Sequence, residues 1–484
     1  MRSSSSALVV AGFVVACGSP SEPTRVYLER ADHGAVVSSE EIATATDRYL
    51  ELLAGTDYFR VTAERTHGVP RNDPEGRYWY GTWWNGVTVF KEDGRVRFFH
   101  QSKGSDNNAL RTAPLLAGTC FAQNLWGGQE ALLRELVRGF NSWSMAMDRG
   151  DSRDHALLAR VHYVEPVMST DDGVEVLIDY SENLPGEYFQ GELEQPPTIY
   201  VHNPDNPHWG DIWIKNKRSK DDVGHMLQAM AYLPACTQSP GADLAEDLEL
   251  MHTRYGQWAR RVEADDWRIA TVDEDWETYH PMEQLAAYIQ LFDVECTAML
   301  ATRLFGHDDP GTVACGTGIS ELSEVWALKK DFHQIERSFH QAATALAYRG
   351  EHVALGDTLV EGLIWRLDTI FDAREAGEYP EKLHDKDLAE LVIMAANVGV
   401  PLTSREVRFL HGQIEKAWRG YLTEEHRLAY DVFSPDTPDG EYPFNPNADG
   451  LFWRYIGALL GQCASPYKNP NGRPVFDCDA VRAR

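Results

Sequence analysis

Apolar residues recur at helical spacing through most of this chain, and strict alternation is confined to a few short stretches. Ser38–Leu53, SSEEIATATDRYLELL, opens with a Ser-x-x-Glu cap and predicts an amphipathic helix. Val87–Phe99, VTVFKEDGRVRFF, alternates on either side of Asp93-Gly94 and predicts a β-hairpin. Asn108–Trp126 and Gln129–Met147, separated by Gly127-Gly128, predict an antiparallel helical hairpin. Residues 161–214 break the helical pattern. They hold DDG and NPDNP turns and short strands around Val174–Ile178 and Thr198–Val201. Helical spacing resumes at Lys220–Leu233 and Ala242–Glu263. Beyond the acidic loop Asp265–Glu277 it continues at Met282–Leu304, Ile319–Tyr348, Ala354–Ala373, Asp385–Val398, Ser404–Tyr421 and Ala448–Leu460. Tyr467–Cys478 is a tail rich in Pro, Gly and Asn.

The pattern gives about ten to twelve helices, most of them paired by short loops, and almost no signal for parallel strands. The expected class is mainly α, built of helical hairpins in a ring or stack, with small β insertions near the N-terminus and around residues 160–215. No fixed short period runs through the chain, which disfavours a simple repeat solenoid. The composition shifts divide it into an N-terminal helix and hairpin segment, 37–105, and a helical domain, 106–484. A chain of 484 residues has ample length for a core of that size.

Charge narrows the partners. The net charge of −29 leaves little basic surface to neutralise phosphate, which argues against nucleic acid and against polybasic membrane contact. The first 25 residues are different. Arg2 precedes a ten-residue apolar run, Ala7–Ala16, too short to span a bilayer as a stable helix, and the run ends Val14-Val15-Ala16-Cys17. This resembles the lipobox of bacterial lipoproteins. The resemblance implies a signal peptide at 1–16, a lipidated Cys17, and a tether at 17–36 that begins with the polar, Pro-containing GSPSEPTR. Gly18 after the Cys resembles the pattern for outer-membrane sorting, so the expected address is the cell envelope, held by lipid. An ordinary signal peptide with a chance Cys accounts for the same residues.

Removing Cys17 from seven cysteines leaves six: Cys120, Cys236, Cys296, Cys315, Cys463 and Cys478. An even count in an exported chain invites disulfides, and six cysteines allow fifteen connectivities. The favoured set is Cys463–Cys478 and Cys296–Cys315, each closing a short loop, with Cys120–Cys236 joining two helices. No Cys-x-x-Cys or Cys/His spacing suggests zinc. His333, Glu336 and His340 share a helical face but lack the His-Glu-x-x-His spacing, and a solvated charged face explains them. Asn445–Gly450 matches half of a calcium loop, yet Ile456 stands where the bidentate Glu belongs, so it reads as a turn. Neither a metal nor a cofactor is expected, and no phosphate loop or nucleophile elbow is present.

The stretch Asn216–Pro234, NKRSKDDVGHMLQAMAYLP, carries the densest candidate chemistry. Ser219 suits an N-cap, and Asp221 and Asp222 fall in the first turn, where the helix dipole favours negative charge. His225 shares their surface, and Val223, Met226, Leu227, Met230 and Leu233 define an apolar face. A well-capped core helix explains all of this.

Two motifs together resemble a family. Asp106-Asn107-Asn108 with Arg111-Thr112-Ala113 opens the first hairpin, and Ser219-Lys220-Asp221-Asp222-Val223-Gly224-His225 opens the later helix. The pairing resembles uncharacterised bacterial proteins of the six-hairpin (α/α) toroid superfamily, over residues 106 to about 463. Asn216-Lys217-Arg218 stands where a Gly-Asp-Thr-like stretch often precedes the Ser in those proteins. The superfamily includes glycoside hydrolases and polysaccharide lyases. The resemblance implies a central funnel on which Asp106, Asp221 and Asp222 converge, with His225 as partner. Two carboxylates roughly 5–10 Å apart are what glycoside hydrolysis requires. Trp83, Trp84, Trp209 and Trp213 are the stacking candidates, and Asn107, Arg111 and Lys220 the polar contacts. The implied ligand is a carbohydrate or envelope polymer. The alternative is a non-catalytic envelope scaffold or protein-interaction module on the same fold, with these Asp residues capping helices and pairing with Lys220 or Arg111.

Overall fold

The computed structural model describes residues 37–41, 43–44, 46–47, 87–101, 108–149, 158–159, 161–163, 167–169, 174–179, 200–208, 210–215, 233, 240–264, 270–272, 279–281, 356–379, 384–397, 400–421, 434–443, 460–461, 463–464, 475 and 477–483. These residues are mainly helical, with short strands. The helices are α1 (Asn108–Trp126), α2 (Glu130–Met145), α3 (Ala242–Ala264), α4 (Gly356–Glu375), α5 (Asp385–Asn397), α6 (Ser404–Tyr421) and the short α7 (Cys478–Arg482).

α1 continues through Pro114, although proline inside a helix costs a backbone hydrogen bond and a steric clash. Packing outweighs that cost: Ala113, Leu115, Leu116, Cys120 and Ala122 are fully buried. α1 ends because Gly127 and Gly128 adopt φ of +72° and +79°, a conformation open to glycine and strained for other residues. The Gln123 side chain then accepts from the Gln129 amide at 2.6 Å and fixes the entry to α2. α2 buries Leu133, Leu136, Val137 and Phe140 along one face, and all of Asn141–Met145.

α3 packs on α2. Glu130 reaches Gly241, Arg134 reaches Asp243 and Asp247, and Phe140 receives the Tyr255 hydroxyl at 2.8 Å. The contacts advance together along both helices, so α2 and α3 run parallel. α4, α5 and α6 pack in sequence. Arg405 of α6 bridges to Asp368, Asp372 and Glu375 of α4, Arg374 pairs with Asp385 of α5, and Phe371 meets Phe409 edge-on. α6 begins with a buried capping box in which Thr403 and Glu406 exchange side-chain-to-amide bonds.

The strands are β1 (Val87–Glu92), β2 (Arg95–Gln101), β3 (Val161–Tyr163), β4 (Val167–Ser169), β5 (Val174–Asp179), β6 (Tyr200–Asn206), β7 (Gly210–Lys215), β8 (Ala270–Val272), β9 (Tyr279–Pro281) and β10 (Gly440–Pro443). β1 and β2 form the expected hairpin. Asp93 and Gly94 both have positive φ, +51° and +75°, as the tight primed turn demands.

The sheet differs from the expected β excursion. One five-stranded sheet has the order β10-β1-β2-β5-β4, and β2 pairs with β5 in parallel. The connection from β2 to β5 runs through α1 and α2, the long crossover that parallel pairing needs. The sheet therefore draws strands from both sides of residue 105, and β10 adds residues 440–443 to it. Lys91 donates to the Ser434 carbonyl at 2.6 Å and the Asp93 amide to Asp439 at 2.9 Å, which seats that segment on the hairpin. Strand alternation in β1 and β2 could not reveal a partner that arrives more than three hundred residues later.

A second sheet has the order β3-β7-β6, and β8 pairs with β9. Two turn readings change here. The acidic loop 265–277 contains β8. The NPDN part of the NPDNP turn continues strand β6, with a register shift between Asn203 and Asn206. The shift has a use. The Asn206 side chain donates to the Met145 and Ala146 carbonyls, and Asn203 donates to those of Ala146 and Asp148. Two side-chain amides thus bind carbonyls at the end of α2, where the helical ladder runs out.

The expected helices Met282–Leu304 and Ile319–Tyr348 lie outside the described residues, as do the metal-spacing residues His333, Glu336 and His340 and the turn 445–450. Among the described residues no helix is long and apolar enough to cross a membrane.

Candidate functional site

The cluster that the described residues bring together is one the sequence pattern does not mark. Asp148 follows the C-terminus of α2, His208 follows β6, and Arg254 lies on α3. Arg254 grips Asp148 with both terminal nitrogens, Nη1 to Oδ1 at 3.0 Å and Nη2 to Oδ2 at 2.7 Å. His208 Nε2 lies 2.6 Å from the same Oδ2. The side chains are 32%, 23% and 19% exposed for Asp148, His208 and Arg254, so solvent reaches all three.

Local structure explains the convergence. The Asn203 and Asn206 amides hold the end of α2, which places Asp148 beside β6. The Asn206 side chain also accepts from the His208 amide at 2.9 Å, an Asx turn that sets the start of the His208 side chain. α3 lies parallel to α2 and brings Arg254 alongside. Tyr255, its neighbour, is fully buried and anchored on the Phe140 carbonyl. Burial pushes the Tyr255 phenol well above its usual pKa, against a weaker pull from Arg254, and keeps it neutral.

Burial also opposes ionisation of Asp148, but the hydrogen bonds from His208 and Arg254 outweigh it. They hold the carboxyl below its usual range. With both oxygens engaged, Asp148 is suited to orienting and charge-balancing rather than to attacking or accepting a proton. In the neutral imidazole it favours the tautomer with the proton on Nε2, the orientation a carboxylate gives to a histidine acid or base.

A carboxyl whose pKa is depressed by folding adds stability above its unfolded value of about 3.9 and loses it as pH falls through the folded value. Asp148→Asn is expected to cost about 1–2 kcal/mol at pH 7, a figure discounted for partial exposure. In urea titrations the gap between wild type and variant should close as pH falls below about 4. A gap constant with pH would mean the charge on Asp148 does not matter.

The other described carboxylate clusters are cross-braces. Asp247 accepts from Arg138 at 2.8 Å and Arg134 at 3.0 Å. Burial raises its pKa against the pull of both guanidiniums. Arg405 lies among Asp368, Asp372 and Glu375; burial disfavours its charge, but the three carboxylates, Asp372 foremost, raise its pKa. Arg374 pairs with Asp385 and stacks over Tyr379 and Phe409, and burial with the Asp385 charge pushes the Tyr379 phenol up to about 12. Among the described residues no group of three or more His, Cys, Asp or Glu is arranged to hold a metal ion.

The residues singled out from sequence fall elsewhere. Asp106, Asn107, Lys220, Asp221, Asp222, His225, Trp83, Trp84, Trp209, Cys17, Cys236, Cys296 and Cys315 lie outside the described residues. Arg111 sits in the first turn of α1 and Trp213 on the central strand β7, each placed by its backbone. Of the stretch 216–234, Leu233 is described; it is helical and buried. A disulfide joins Cys463 to Cys478, and Cys120 is also disulfide-bonded.

Asp148, His208 and Arg254 escaped the sequence reading because 60 and 106 residues separate the partners. The available signal was the Asn-Pro-Asp-Asn-Pro-His run, which places two amides and an imidazole on one short segment. A scan against protein-family models finds no match to this chain, and searches of curated proteins and of solved structures find none.

Proposed function

We propose that this chain is a lipid-anchored protein of the bacterial cell envelope, on the outer membrane, whose helical body is an (α/α) toroid that binds a carbohydrate or envelope polymer. Cys17 carries the lipid, and 17–36 is the tether. In the stronger form of the reading the funnel also hydrolyses its ligand, with Asp106, Asp221 and Asp222 as acid, base or nucleophile and His225 as their partner. The observation that carries the ring is the α1–α2 hairpin followed by α3 parallel to α2. Corresponding helices of successive hairpins around a toroid run parallel, as α2 and α3 do. Asp148, His208 and Arg254 sit at the end of α2, where they brace that succession.

A specific observation favours the rival reading, a non-catalytic scaffold or protein-interaction module. Asp148, Asp247, Asp368, Asp372 and Asp385 each pair with an arginine, Asp368 and Asp372 sharing Arg405. Carboxylates so paired lock helices together rather than act on a ligand.

The test is a polysaccharide binding and cleavage panel on the full-length protein in detergent, beside an Asp221→Asn/Asp222→Asn variant. Cleavage by wild type that falls at least about 100-fold in the variant supports hydrolysis at this turn. Binding retained by both, without cleavage, supports a lectin-like module. Neither binding nor cleavage across the panel sinks the carbohydrate reading and leaves the scaffold.

A further inference from the structure

The first and last described segments of the chain are built into each other. The Val37 amide donates to the Val475 carbonyl at 2.8 Å. Ser38 and Glu41 close a capping box, with the Ser38 amide on Glu41 at 2.9 Å and the Glu41 amide on the Ser38 hydroxyl at 3.2 Å. Ser39 donates to Asp477 at 3.3 Å, and Glu41 meets His411 of α6 at 3.2 Å. Asp477 is itself the N-cap of α7, accepting from the Asp479 amide. Val37 and Ser39 thus rest on the lead into α7, and Glu41 meets α6.

α7 has five residues, too few to be stable alone. Three ties hold it. Cys478 is bonded to Cys463, with Cα atoms 5.2 Å apart. The Trp126 indole of α1 donates to the Val481 carbonyl at 2.9 Å, and Arg482 donates to the Cys463 carbonyl at 3.3 Å. Val475 and Val481 are each 1% exposed, and Gly461 lies so close to Phe121 that a Cβ would stand 3.0 Å from two ring carbons. The covalent tie is the one that does not depend on α7 already being formed.

We propose that the Cys463–Cys478 disulfide is the lock of a clasp between the segment at Val37–Glu41 and the lead into α7, and that oxidation of this pair determines how firmly that segment is held to the body. In the oxidised chain, Val475 and Asp477 form a fixed ledge on which that segment docks. Reduction breaks one S–S bond and takes two electrons and two protons from a dithiol, which closes to its own disulfide, leaving two thiols. α7 then depends on its non-covalent ties, and the ledge loosens with it. This inference is independent of what the body binds.

Hydrogen exchange on the full-length protein tests it. In Cys463→Ser/Cys478→Ser, the Val37 amide and the 479–483 amides should exchange at least about tenfold faster, while those of α2 and α3 keep their wild-type rates. Unchanged exchange at Val37 overturns the proposal. So does an equal acceleration across α2 and α3, which would make the bridge a staple for the whole fold. If the double variant does not fold, exchange is read on the wild-type protein with and without a dithiol reductant. Faster exchange at Val37 in the reduced protein supports the proposal, and an unchanged rate there overturns it.

Discussion

Asp247→Ala is expected to cost about 3–5 kcal/mol, because it removes the carboxylate from a buried charge cluster and leaves its partners in place. Arg138 is 6% exposed and Asp247 7%, so water cannot take over the lost bond to the guanidinium. Arg134 loses its 3.0 Å bond as well, but it is 27% exposed, keeps Asp243, and contributes less. The same residue also offers its backbone carbonyl to Asn141 at 2.9 Å, and that bond survives the substitution. The damage is therefore electrostatic and confined to the α2–α3 interface. Urea unfolding at pH 7 measures it. Replacing both partners in Asp247→Leu/Arg138→Met should recover most of the loss, since a hydrophobic pair of similar volume leaves no orphaned charge. A loss below about 1 kcal/mol in the single variant would mean that the other contacts of Arg138 hold its charge.

How legible this was in the sequence depends on the range of the interaction. The capping box at Ser38 and Glu41, the Asp93-Gly94 turn, and helices Asn108–Trp126 and Ser404–Tyr421 are local, and residue type with spacing predicts them. The short loop closed by Cys463 and Cys478 is nearly so, since fifteen residues separate the pair. Pairing between distant segments left no trace. β1 carries the alternation of a strand, but nothing in it names β10 as its neighbour. Asn203 and Asn206 read as turn formers because Asn-Pro usually is one. Here the end of α2 needs donors, and that tertiary demand overrides the local preference. The Arg-carboxylate braces escaped for the same reason: a charged residue on an amphipathic helix looks solvated until its partner helix is known.

The end of α2 also carries the second large effect. Trp143→Ala is expected to cost about 3–5 kcal/mol, the range for emptying a buried aromatic site. Trp143 is among the largest fully buried side chains described, 1% exposed, and meets Phe140 edge-on with centroids 4.8 Å apart. Its own carbonyl accepts from the Ala159 amide at 2.7 Å, so the backbone there is pinned and the site cannot easily collapse onto the cavity. That is the condition under which large-to-small substitutions cost most. Trp143→Phe leaves a smaller void and should lose less than half as much. The consequence reaches the candidate site, because Met145, Ala146 and Asp148 follow within five residues and are held by the Asn203 and Asn206 amides. With the indole gone, that turn loses the packing beneath it, and the 2.6 Å bond from His208 to Asp148 should lengthen. Denaturant unfolding reads the first effect, and the imidazole resonances of His208 read the second. If Trp143→Ala loses the stability yet leaves the His208 resonances unmoved, the cluster is positioned by β6 and α3 alone.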